Sequence, residues 1–73
     1  MRALEAAILA AHGRGDDAAL ARLYAEGAEA VLGTNEDAGA FLLTQAYVFA
    51  LRAGDEAAAR RCHARLVALG REA

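Results

Sequence analysis

Apolar residues recur along the chain at the 3- and 4-residue spacing of amphipathic helices, and glycines followed by acidic or amide residues interrupt that spacing at regular places. Four helices are predicted. The first spans about residues 2–12, with Leu4, Ile8 and Ala11 on one face, and stops at Gly13 or Gly15. Asp16 or Asp17 then caps a second helix carrying Leu20, Leu23, Tyr24, Gly27, Val31 and Leu32. It ends at Gly33, a residue suited to the left-handed position after a helix. Past the turn Gly33-Thr34-Asn35, Thr34 with Asp37 three residues on gives a capping-box-like start to a third helix over 36–52, whose early acids suit the positive end of the helix dipole. Gly54 closes that helix. Asp55 caps a fourth over 56–69, with Glu56 and Arg60 as an i, i+4 pair and Ala59, Cys62, Leu66 and Leu69 as the inward stripe.

The pattern defines one all-α domain over 1–73, built from four antiparallel helices in two helix-turn-helix hairpins, 2–33 and 35–70. Gly15-Asp16-Asp17-Ala18-Ala19 and Gly54-Asp55-Glu56-Ala57-Ala58 lie 39 residues apart, each at a tight interhelical turn, so the hairpins read as a repeat. The run AYVFALRAGDEAAA over 46–59 resembles the centre of a tetratricopeptide-like unit: the end of one helix, a Gly-Asp turn, and the start of the next with Ala59 at the small-residue contact. That resemblance implies a stacked helical scaffold that presents a surface to other proteins. A plain four-helix bundle is the other architecture compatible with the pattern.

Helix 3 is the informative element. Projected at about 100° per residue, its large apolar side chains occupy the whole circumference. Phe41 and Val48 point one way, Leu42 and Phe49 a second, and Leu43, Tyr47 and Leu51 a third. The three other helices hold much of the chain's 22 alanines and few large side chains to cover it. One side of helix 3 is therefore expected to meet a second copy of the chain or another protein, with Phe41, Leu42, Thr44, Gln45, Val48 and Phe49 at the interface. The alternative is that the helix is wholly enclosed within its own domain. Thr44 and Gln45 either bond to the backbone or set register across the interface. In a second functional reading they line a small-molecule pocket between the hairpins with Tyr24 and Tyr47. Gly27 and Gly39, inside helices 2 and 3, each weaken their helix by about 0.8–1 kcal/mol relative to alanine, which close helix approach would offset.

Composition narrows the chemistry. The lone Cys62 has no partner for an internal disulfide, so a cytoplasmic setting is expected. No apolar run approaches the roughly 20 residues of a membrane span, and the N-terminus lacks a cleavage pattern after a hydrophobic stretch. Serine is absent, and no set of acid, base and nucleophile can be assembled, so the chain is expected not to be an enzyme. No metal or cofactor is expected either: Cys62 and His63 are helix neighbours whose side chains diverge. His12, in the last turn of helix 1, suits the negative end of its dipole. Arg52, Arg60, Arg61, Arg65 and Arg71 make the second half basic, but the net charge of −2 and the absence of lysine speak against nucleic acid. The acids Glu26, Glu29, Glu36 and Asp37 offer this basic half a complement in another copy. The expected partners are therefore proteins, the chain itself as a homodimer first, for a non-catalytic protein–protein interaction module.

Overall fold

Helices rich in alanine and joined by two- or three-residue turns must fold back on their neighbours. The computed structural model, which describes residues 2–71, follows that rule. Four helices, α1 (Arg2–Arg14), α2 (Asp17–Leu32), α3 (Glu36–Arg52) and α4 (Glu56–Ala68), account for nearly all of it, with no strand among the described residues. The longest, α3, packs most extensively on α2 and less on α4, while α1 lies against α2. None of the described helices is long and apolar enough to cross a membrane.

Two of the three turns share one construction. Gly15 and Gly54 take φ of +65° and +74°, the left-handed region where a side chain is strained. This conformation lets the N–H of Asp16 reach back to the Ala11 carbonyl at 3.0 Å, and that of Asp55 to the Ala50 carbonyl at 2.9 Å. Each aspartate then caps the next helix, accepting from the Ala19 or Ala58 N–H at 3.0 Å. The Ala19 N–H, more than the neighbouring Arg14, holds the Asp16 carboxyl below the usual aspartate range. The sequence similarity between the two Gly-Asp segments is thus a similarity of geometry.

The middle turn differs from expectation. Gly33 stays right-handed, with φ −70° and ψ −20°, and Asn35 rather than Thr34 caps α3. Asn35 has the extended backbone a cap needs, and its side-chain carbonyl accepts from the Ala38 N–H at 3.0 Å. Thr34 sits one residue too early; its hydroxyl donates to the Val31 carbonyl at 3.2 Å. Replacing Asn35 by alanine is therefore expected to destabilise the fold by about 1 kcal/mol. Thr34→Ala should stay within about 0.5 kcal/mol in the same urea titration, and the reverse ranking would restore Thr34 as the cap.

The molecule is a slab of 33 × 28 × 13 Å. Helices packed about 8–10 Å apart can lie at most two deep in it. The core is correspondingly thin: Leu20 and Leu43, each 2% exposed, are the only large side chains among the described residues to be fully enclosed. Alanines 11, 28, 46 and 50 are completely buried and let the helices approach closely.

The two interior glycines divide at this point. A methyl group added at Gly39 would lie 2.6 Å from Leu32 Cγ and 3.2 Å from Leu32 Cα, so backbone as well as side chain would have to move. At Gly27 the same methyl would meet Leu4 Cδ2 at 3.4 Å and Leu42 Cδ1 at 3.7 Å, ordinary contact. Gly39→Ala is expected to destabilise, since overpacking of about 1–3 kcal/mol outweighs the helix gain of about 1 kcal/mol. Gly27→Ala keeps the gain and should raise stability by up to about 1 kcal/mol. Thermal melts of both variants check the opposite signs.

Candidate interaction surface

The circumference of α3 is shared among its neighbours unequally. Gly39, Ala40, Leu43, Ala46 and Ala50 face inward and are buried. On one flank Leu42 packs beside the Ala28, Ala40, Leu43 and Leu66 cluster and reaches toward Gly27 on α2. Further along that flank, Phe49 stacks on Tyr24, with ring centroids 5.5 Å apart and planes 8° from parallel. His12 closes the stack edge-on to Phe49 at 5.7 Å, and its Nε2 shares a hydrogen bond of 3.1 Å with the Tyr24 hydroxyl. One aromatic cluster therefore ties α1, α2 and α3 together, and His12 serves that cluster in place of a dipole role alone.

The opposite flank has no cover. Phe41 is 62% exposed, Val48 42% and Leu51 53%, and they follow one another along a single stripe of α3. Thr44 lies on the same stripe. Its hydroxyl donates to the Ala40 carbonyl at 3.0 Å, so the backbone alternative holds for this residue and no unsatisfied donor faces out. Gln45 is half-buried at the stripe's edge. Asp37 and Arg52 stand at its two ends.

Of the six residues expected at an interface, the structure thus brings Phe41, Thr44, Gln45 and Val48 to one uncovered stripe. Leu42 and Phe49 turn instead toward their own chain, because Gly27 leaves room on α2 and α1 supplies His12, Ile8 and Leu4 as a wall. Leu51, which the helix projection sets with Leu43 and Tyr47, is exposed while Leu43 is buried. Its angular position lies between Val48 and Tyr47, and α4 departs from α3 just beyond it.

Tyr24 and Tyr47 do not meet in a pocket. Tyr24 belongs to the aromatic stack, whereas Tyr47 leans on His63 of α4 at 6.1 Å, beside a shallow dent that also takes in Leu51 and Arg60. A larger concavity lies elsewhere: an open groove of about 890 Å³ between α2 and α4, floored by Leu43 and lined by Ala18, Ala21, Ala25 and Ala58. Arg22 and Arg61 stand on its two walls.

Charged side chains bind the slab together across its surface. Arg65 of α4 donates two hydrogen bonds of 2.9 Å to the Glu29 carboxylate of α2, which lowers the Glu29 pKa and raises that of the guanidinium. Arg71 bridges Asp37 and Glu36 at the start of α3, and Arg52 approaches Asp17 at 3.5 Å. The basic and acidic halves read from the sequence are accordingly joined largely within one chain, and the general attraction expected between copies is reduced to match. Glu56 and Arg60, by contrast, form no ion pair among the described residues. Cys62 is a buried thiol whose pKa burial pushes up, an inert packing role.

Comparison with family models, with characterised proteins and with solved structures finds no match. The class is therefore defined by the architecture itself, an all-α array of helical hairpins with one uncovered apolar stripe on its central helix.

Proposed function

We propose that the chain is a non-catalytic protein–protein interaction module that self-associates through the outward stripe of α3. The observation that carries this reading is that Phe41, Val48 and Leu51 are exposed together on one face of one helix, whereas the other exposed large apolar side chains, Leu9 and Val67, stand singly on α1 and α4. The tetratricopeptide-like character of residues 46–59 supports the same direction, since scaffolds of that kind present surfaces to other proteins. A cytoplasmic setting suits the single unpaired thiol. The test is the mass of the purified chain in solution as its concentration rises.

A second reading rests on the groove between α2 and α4. Its alanine walls, edged by Arg22 and Arg61 on one hand and Asp16, Glu26 and Asp55 on the other, would suit a small, largely apolar molecule, and raised melting temperatures across a library of such compounds would favour it.

A further inference from the structure

Resting on the self-association reading, the geometry points to an antiparallel, two-fold symmetric pairing of α3 with α3 of a second copy, centred between Thr44 and Gln45 and closed at each end by Asp37 of one copy against Arg52 of the other. A two-fold interface must be complementary to itself after a half-turn. The uncovered stripe has that property. About the midpoint of Thr44 and Gln45, Phe41 exchanges with Val48 and Asp37 exchanges with Arg52. In the antiparallel pairing apolar meets apolar, and each acid meets a base. In a parallel pairing Asp37 would face its own copy and Arg52 likewise, two repulsions in place of two attractions.

Heights along the helix agree. At about 1.5 Å per residue, Asp37 and Arg52 sit roughly 11 Å on either side of the midpoint, so each reaches the level of its counterpart. The centre is suited to close approach, because the Thr44 side chain is small and its hydroxyl is already bonded to Ala40. Gln45 is placed to exchange hydrogen bonds with its counterpart near the axis. Both end groups retain capacity for a partner. Arg71 takes only Oδ1 of Asp37, whose side chain is 87% exposed, and the Arg52 side chain, held by Nε near Asp17 at 3.5 Å and by its guanidinium over the Phe49 ring, is still 64% exposed and long enough to turn to a partner. The paired ends then form alternating chains of charge, Arg71–Asp37 with Arg52–Asp17 of the second copy.

Sedimentation velocity at low ionic strength on wild type, Asp37→Arg, Arg52→Asp and an equimolar mixture of the two variants tests the arrangement. Each variant alone places like charges at both ends and is expected to associate about tenfold more weakly than wild type. The mixture is expected to recover wild-type association, since each acidic end then meets a basic one. Recovery separates the contact between copies from the loss of the Arg71 and Asp17 contacts, which mixing leaves broken. Circular dichroism confirms folding; should either reversal unfold, Asp37→Asn and Arg52→Gln are expected to weaken association by about threefold. Variants that dimerise as tightly as wild type would overturn the antiparallel register while leaving the α3 surface intact. A wild type that stays monomeric at every concentration would overturn both, and would assign the stripe to a different protein.

Discussion

Leu43→Ala is expected to produce the largest loss of stability of any single substitution in α3. Leu43 is 2% exposed and sits where α2, α3 and α4 converge, packed with Ala28, Ala40 and Leu66. Its neighbours include two alanines, which cannot extend into the space a lost isobutyl group leaves. Removal of a buried leucine typically destabilises by about 2–5 kcal/mol, and this site belongs in the upper part of that range. For a domain of this size that corresponds to a fall in melting temperature on the order of 10–30 °C. Leu9→Ala is the control: Leu9 is 72% exposed, and its replacement should change stability by no more than about 0.5 kcal/mol. Urea and thermal unfolding followed by circular dichroism measure both. A Leu43→Ala chain as stable as wild type would mean that the thin core is not what holds the slab.

The second large effect is on association. In Phe41→Glu with Val48→Glu, both substitutions fall on side chains already in water, and glutamate favours helix at least as well as the residues it replaces. The fold should therefore survive with nearly unchanged melting. Association should not. Covering Phe41, Val48 and Leu51 from two copies, each about half exposed, contributes roughly 1 kcal/mol per side chain, or about 6 kcal/mol in all. Because association itself is opposed by at least about 4 kcal/mol, a margin of about 2 kcal/mol remains, and the dimer is expected to be weak and populated only toward the high end of a concentration series. Removing most of the apolar term and adding four like charges leaves nothing to offset that opposition. Phe49 is no substitute as a probe. A charge there would break the stack with Tyr24 and His12, and loss of the dimer could not be told from loss of the fold.

Much of this was legible from the sequence where the determinants are local. The Gly15-Asp16 and Gly54-Asp55 turns read correctly because the left-handed residue, the cap and the bonds they make all lie within nine residues, Ala11 to Ala19 and Ala50 to Ala58. Even there one position was misassigned: Thr34 and Asn35 are both good caps, and only the backbone conformation chose between them. The all-round apolar character of α3 was equally visible. How its sides are divided was not, since that depends on partners distant in the chain. Leu42 turns inward because Gly27, 15 residues earlier, leaves a gap, and Phe49 because Tyr24 and His12 converge on it. The Arg65–Glu29 and Arg71–Asp37 pairs, 36 and 34 residues apart, carry no local signature either. Only after the folded chain claims those groups does the remaining stripe of Phe41, Val48 and Leu51 stand out as the part left uncovered.

The most direct test is light scattering on wild type and on the Phe41→Glu, Val48→Glu double variant over a rising concentration series. The wild-type mass should climb from 7.6 kDa toward twice that value while the double variant stays at 7.6 kDa with an unchanged melting curve. A wild type that remains at 7.6 kDa throughout, or a double variant that associates equally well, would contradict the account.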